Sequence, residues 1–106
     1  MKDCIFCQIT KKETKTEIIY ENENICVFKD IHPLAPTHLL IVPKKHIPSL
    51  NDVEIEDKTL MGELILTSQK IAKNMSLGGY KLQINVGRPA GQIVDHLHLH
   101  LLANSQ

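Results

Sequence analysis

The stretch Asp95-His96-Leu97-His98-Leu99-His100-Leu101-Leu102 decides the fold. Histidine and leucine alternate along it, and it carries three of the six histidines in the chain. Strict alternation marks a half-buried β-strand, because successive side chains leave the backbone on opposite faces. Leu97, Leu99 and Leu101 are therefore expected to face a core, and His96, His98 and His100 to form one exposed or cleft-facing row. Same-face neighbours on a strand stand about 6.6 Å apart, so one phosphate-sized group can touch two imidazoles. Close imidazoles depress one another's pKa, so at neutral pH at least one is expected to be an unprotonated nucleophile or ligand. Histidine can attack phosphorus and form a covalent intermediate, while a protonated neighbour steadies phosphoryl charge or protonates the leaving group.

Working outward from that strand, Val86-Gly87-Arg88-Pro89-Ala90-Gly91-Gln92 reads as a glycine-bearing loop that hands the chain to the histidines, and its backbone N–H groups are candidates to cradle an anion. Tyr80-Lys81-Leu82-Gln83-Ile84-Asn85 alternates and predicts a strand. Before it, Leu60, Met61, Leu64, Ile65, Ile71, Ala72 and Met75 have the spacing of one amphipathic helix of roughly four to five turns. Asn51-Asp52-Val53-Glu54 resembles its N-cap and reciprocal glutamate, and Gly78-Gly79 its C-terminal stop. His38-Leu39-Leu40-Ile41-Val42 is a near-continuous apolar run, expected to be a central strand buried on both faces and ended by Pro43. The two-proline segment Asp30 to Thr37 reads as a rigid loop. Glu17-Ile18-Ile19-Tyr20 and Ile25-Cys26-Val27-Phe28, separated by Glu21-Asn22-Glu23-Asn24, predict a hairpin with Cys26 as a small core residue. Lys11-Lys12-Glu13 reads as an exposed turn. Strands, one main helix and strands again make an α+β domain with a mostly antiparallel sheet.

The 106 residues fit a single domain, 1–106. Lys and Arg total 12, as do Asp and Glu. That zero balance argues against a nucleic-acid or membrane-surface binder, which carries a basic patch, and mildly favours self-association. The N-terminus has no apolar stretch of signal-peptide length and no segment approaches a membrane span, so a cytoplasmic protein is expected. In a reducing compartment the three cysteines are expected to be thiols or metal ligands. Cys4-x-x-Cys7 has the spacing of half a zinc site, completed by two more N or S ligands such as His46 and one member of the histidine row. The alternative is a pair of small residues packed under the N-terminal segment. Asp30 is either a turn residue or, as an ionised carboxylate with lone pairs to spare, a receiver of two ribose hydroxyls.

Gly91 to Leu102, together with Cys4-Ile5-Phe6-Cys7 and the block from Asp30 to Ile47, resembles the histidine-triad (HIT) superfamily in colinear order across almost the whole chain. The resemblance implies an α+β fold with a mostly antiparallel five-stranded sheet, one main helix and a short N-terminal helix, pairing into a homodimer with one continuous sheet. It implies a nucleotide-binding hydrolase or transferase acting at a nucleoside α-phosphate. His98 would be the nucleophile, with His100 and His38 at phosphate and leaving-group oxygens and His96 orienting His98 through its backbone carbonyl. Asn85, Gly91 and Gln92 match the phosphate-side loop, Asp30 the ribose-binding acid, and Phe28 and Ile31 the surroundings of a purine base. Cys4, Cys7, His46 and His96 match a structural zinc site. Ala103-Asn104 follow the triad where dinucleoside-polyphosphate hydrolases tend to have a Pro-Arg pair, so the resemblance favours Hint-like phosphoramidases. Ile93 stands where a polar side chain often helps the leaving group. The chain ends at Gln106, whereas some relatives carry a tail that reaches the partner's site. Those two features keep open a zinc-stabilised nucleotide-binding module with little catalysis. His32 is expected at the surface.

Overall fold

Alternation and burial sort the strands into a single sheet whose two faces are covered differently. In the computed structural model, which describes residues 3–104, the hairpin forms as β1 (Ile18–Glu21) and β2 (Ile25–Lys29). Asn22 closes its turn by accepting at Oδ1 from the backbone N–H groups of Asn24 and Ile25. The apolar run is β3 (Thr37–Pro43), buried at every position. The last two strands are β4 (Lys81–Gln83) and β5 (Leu99–Ala103). All neighbouring pairs are antiparallel, in the order β1-β2-β3-β5-β4.

One face packs under the long helix α2 (Lys58–Asn74). Its buried stripe of Leu64, Thr67, Ser68, Ile71 and Ala72 follows helical spacing. It meets Ile25, Val27, Leu39, Ile41, Leu97, Leu99 and Leu101. The leucines of the histidine stretch therefore face the core as expected. The opposite face carries Cys26, Phe28, Leu40 and Val42, covered by Cys4, Phe6, Cys7 and Ile9 of the short N-terminal segment and its helix α1 (Ile5–Thr10). Cys26 is fully buried, and burial pushes its thiol up to about 11, so it serves as a core residue. Lys11, Lys12, Glu13 and His32 are exposed.

Several expectations need correction. Of the two arrangements expected for the histidine row, exposed or cleft-facing, the exposed one is not formed: His96 and His98 are buried and His100 is half-buried, with Phe6 of α1 packed over His96 and His98. The strand begins only at Leu99, with His96 in a bend and His98 in the segment that leads from it into the strand. β4 is shorter than the run Tyr80 to Asn85. The main helix is not capped at Asn51 to Glu54. Ser49 caps a short 3-10 turn there, and a second turn at Ile55–Asp57 carries the reciprocal box between Glu54 and Asp57 just before α2. The Asp57 carboxylate is drawn into that box by Lys45, whose Nζ lies 2.6 Å away. The helix also stops before Gly78-Gly79. Ser76 takes the left-handed conformation at φ 57°, and neither of those glycines has a positive φ. The readings at the extreme N-terminus and at Gln106 fall on residues 1–2 and 105–106, outside the described residues.

Candidate active site and metal centre

Cys4 is the N-cap of α1, its Sγ accepting from the Cys7 backbone N–H at 3.3 Å, which sets both sulfurs on one side of the first turn. His46 follows β3, and His96 arrives just ahead of β5. Cys4 Sγ lies 3.3 Å and Cys7 Sγ 3.5 Å from His96 Nδ1, while His46 Nδ1 lies 3.2 Å from both Cys7 Sγ and His96 Nδ1. All four donor atoms fall within 4.8 Å of one another. A tetrahedral zinc site with ordinary bond lengths has N–N edges of about 3.4 Å and S–N edges of about 3.6 Å, so the spacing fits within a few tenths of an ångström. Its chemistry fits as well. His96 Nε2 donates to the Pro43 carbonyl at 2.8 Å, leaving the Nδ1 lone pair for a cation and supplying the outer hydrogen bond typical of a ligating histidine. Burial, reinforced by the charges of His46 and His98, pushes His96 down to about 4, which keeps it neutral. Burial and the adjacent Cys4 push Cys7 up to about 11, a trend that a cation among the donors reverses.

The same His96 reaches the other histidines through its backbone. Nδ1–H of His98 donates to the His96 carbonyl at 2.6 Å, so the lone pair of neutral His98 is on Nε2. No buried side-chain nitrogen or oxygen lacks a partner among the described residues. His98 Nε2 has no hydrogen bond there, and so it reaches the surface. Burial lowers the His98 pKa, which favours the neutral nucleophilic form. Phe6 presses edge-on against the rings of His96 and His98, with centroids 5.9 and 5.0 Å away. The His100 ring stands 4.9 Å from that of His98, and His100 Nδ1 lies 2.8 Å from His38 Nε2. Burial, then the His98 and His38 charges, push His100 down to about 4.

Two loops flank these rings. Asp30 lies 3.4 Å from His38 Nε2 through one carboxylate oxygen, and the other accepts from His32 N–H at 2.8 Å. Ile31 is 83% exposed beside it, whereas Phe28 is buried and packs edge-on against Phe6, so it backs this region without offering a face to a base. In the second loop Gly87 and Gly91 have φ of 86° and 91°. The N–H groups of Gly87, Ala90, Gly91 and Gln92 are all bonded within the loop, so those four are not free to cradle an anion. Asn85 Nδ2 binds the Ala90 carbonyl, and a Cβ at Gly91 would stand 3.2 Å from that nitrogen. Gln92 is buried, accepts from Gly87 N–H and donates to the Pro48 and Val94 carbonyls. Its side chain clamps the loop. Ile93 is 79% exposed.

A family model described as "Scavenger mRNA decapping enzyme C-term binding" matches residues 3–106. Protein HitA of Neisseria gonorrhoeae is 44% identical over 103 residues, 96% of each chain. The chain belongs to the histidine-triad (HIT) family. A crystal structure of a HIT family hydrolase from Legionella pneumophila superposes with a TM-score of 0.93 at 44% identity, covering 98% of this chain and 95% of that one. A zinc-bound histidine triad protein from Mycobacterium smegmatis superposes at 0.83 with 31% identity, over 99% of this chain and 77% of its own. The HIT fold thus accounts for the five-stranded sheet and both helices.

Main-chain groups supply much of what the side-chain pattern missed. The Pro43 carbonyl, the Pro48 carbonyl under Gln92 and the Leu34 amide at His38 Nδ1, 3.0 Å away, belong to residues whose side chains advertise nothing. Phe6 had a signal: an aromatic between two cysteines of a metal motif has to pack beside their ligand partners.

Proposed function

We propose that this HIT protein is a nucleotide-binding hydrolase that cleaves purine nucleoside phosphoramidates, or related nucleotidyl conjugates, at the α-phosphate. The observation that carries the proposal is the 2.6 Å hydrogen bond from His98 Nδ1 to the His96 carbonyl, which leaves a neutral imidazole with an accessible lone pair on Nε2. In the first step Nε2 bonds to the α-phosphorus, the bond from phosphorus to the departing amine breaks, and the amine nitrogen takes a proton from solvent. Water then attacks the nucleotidyl-histidine, releasing nucleoside monophosphate and restoring His98. His100 holds a phosphoryl oxygen, His38 backs it through their 2.8 Å contact, and His96 orients the nucleophile. Asp30 receives the ribose, with Ile31 and the backing Phe28 beside the base. Asn85, Gly91 and Gln92 shape the phosphate-side loop, Gln92 by clamping it.

Cys4, Cys7, His46 and His96 hold a structural zinc that ties α1 to the approach of β5, and the ion takes no part in the chemistry. The unit is a single domain over 1–106, cytoplasmic and homodimeric, without nucleic-acid or membrane partners. The outer edge of β4 and the exposed Ile65 and Leu66 of α2 support pairing of two copies. Among the described residues no helix is long and apolar enough to cross a membrane.

The test is His98→Asn assayed on adenosine phosphoramidate. Turnover should fall at least about a thousand-fold, with AMP binding by calorimetry changed only a few-fold; a variant that keeps its turnover would refute the proposal. The exposed, apolar Ile93 favours one second reading, a zinc-stabilised nucleotide-binding module with little catalysis. Clear AMP binding with no turnover in the unmodified protein selects it. Preference for a dinucleoside polyphosphate in a competition assay selects the polyphosphate-hydrolase branch instead.

A further inference from the structure

Between the exposed loop after β2 and the histidine pair runs a chain of nitrogen-to-nitrogen contacts. Leu34 lies in a segment closed at its base by Asp30 N–H donating to the His38 carbonyl at 3.0 Å. Its side chain is 77% exposed, so its packing does little, but its backbone N–H donates to His38 Nδ1 at 3.0 Å. An amide can only donate, so Nδ1 must present a lone pair, and a neutral imidazole then carries its hydrogen on Nε2. His38 Nε2 lies 2.8 Å from His100 Nδ1. Two ring nitrogens at that distance share one hydrogen, which belongs to His38, so His100 Nδ1 is the acceptor and His100 Nε2 bears the remaining hydrogen. His100 Nε2 has no partner among the described residues and, by the same reasoning as for His98, is not buried.

We propose that the Leu34 backbone amide is a positioning group that sets the tautomers of His38 and His100, so that His100 Nε2–H is presented outward as one fixed donor to a phosphoryl oxygen. The proposal deepens the hydrolase function above and rests on it for the identity of the acceptor; the tautomers themselves do not depend on turnover. The groups facing the pair are consistent with this assignment. Asp30 Oδ2 lies 3.4 Å from His38 Nε2 and can accept a share of the same hydrogen. The His98 ring, 4.9 Å from that of His100, disfavours a second positive charge there.

A consequence concerns metals. Asp30, His38 and His100 also converge closely enough to suggest three ligands, but a metal needs a lone pair on His38 Nε2, where the Leu34 amide has put the hydrogen. Divalent cations are therefore held by the cysteine-containing cluster and excluded from the histidine pair.

The proposal is tested on the intact, 15N-labelled, metal-loaded protein by NMR at neutral pH. Nitrogen-to-nitrogen couplings across hydrogen bonds should link the Leu34 amide to His38 Nδ1 and the His38 Nε2–H to His100 Nδ1. The ring shifts should report the Nε2–H tautomer for both residues. Detection of an Nδ1–H on His38, or of neither coupling, overturns it. Leu34→Ala, which keeps the amide, should leave the ring shifts of His38 and His100 unchanged. Leu34→Pro, which deletes it, should give averaged tautomer shifts for His38 and His100 and lower kcat about tenfold, with KM little changed. Wild-type shifts retained in a folded Leu34→Pro variant would also overturn the proposal, and the wild-type spectra decide the matter if that variant does not fold. Expected tautomers in a protein that hydrolyses nothing would leave this assignment standing and remove the hydrolase function; the converse result would do the reverse.

Discussion

Replacing Gln92 by glutamate separates a clamp from a ligand-binding residue. In the native protein the Gln92 amide gives two hydrogens, to the Pro48 carbonyl at 2.7 Å and the Val94 carbonyl at 2.9 Å, and accepts one from Gly87 N–H at 2.8 Å. The side chain is 4% exposed. A carboxylate keeps the single acceptor contact, loses both donated bonds at about 1 kcal/mol each, and points an anion at two carbonyl oxygens. That repulsion and the burial raise the new carboxyl's pKa by one to two units, roughly 1.4–2.7 kcal/mol. The expected loss near pH 7.5 is therefore about 3–5 kcal/mol, read from urea unfolding at fixed zinc and protein concentration. The sign with pH is set by the direction of the shift. A folded pKa above the unfolded value of about 4.3 means that the native state holds its proton more tightly, so stability falls as pH rises through that window and the deficit narrows again below it. Gln92→Met, similar in length but apolar, should cost about 2–4 kcal/mol with no such pH dependence. A loss below about 1 kcal/mol for Gln92→Glu, or the same loss at pH 4.5 and 7.5, would show that Gln92 is not a clamp and return it to the role of a ligand contact.

Elemental analysis of protein purified without chelator should give about one zinc per chain, and less than about half an equivalent would count against a tightly held structural ion. Cys7→Ser should lower both the zinc content and Tm, while Cys26→Ser, far from the donor set in role, should leave zinc content intact. Leu101→Ala empties a fully buried position under α2 and should cost about 2–5 kcal/mol in urea unfolding. His100 is held near 4 in the folded protein by burial and its charged neighbours, below the ordinary histidine value. The unfolded chain therefore takes up a proton first on acidification, so the stability tied to this group is complete at neutral pH and is lost as pH falls from about 6.5 towards 4. Melting temperatures measured over that range should decline less steeply in His100→Asn than in the unmodified protein.

What was legible in the sequence follows from what a periodic pattern encodes. Alternation states which residues share a face, and so Leu97, Leu99 and Leu101 were assigned to the core correctly. It does not state what lies over the other face. The histidine row was expected to be exposed or cleft-facing, and Phe6 covers His96 and His98. Helix existence was clear from the stripe on α2, while its ends were not. Asn51 to Glu54 and Glu54 to Asp57 are competing caps three residues apart, and the choice is made by Lys45, a residue remote in sequence that holds Asp57. Ser76 took the left-handed stop ahead of the glycines better suited to it, between Met75 and Leu77, which both pack against the core.

The site was legible as a set of side chains and only partly legible as a set of connections, and His96 shows why. Its imidazole Nδ1 faces the two cysteines and His46, its Nε2–H holds the Pro43 carbonyl, and its own carbonyl holds His98. Two of those three links run through backbone oxygens, which every residue possesses; the family resemblance anticipates the one from the His96 carbonyl, and nothing marks the one to Pro43. Leu34 makes the same point from the other side, since its exposed side chain is dispensable while its amide meets His38. The candidate metal cluster and the proposed nucleophile are therefore joined through His96, with the Phe6 ring packed against both imidazoles. A change at Cys4, Cys7 or His46 should reach His98 by tilting the His96 peptide. The Leu34 loop reaches His100 along a separate path through His38, and the two paths meet where the His98 and His100 rings lie 4.9 Å apart.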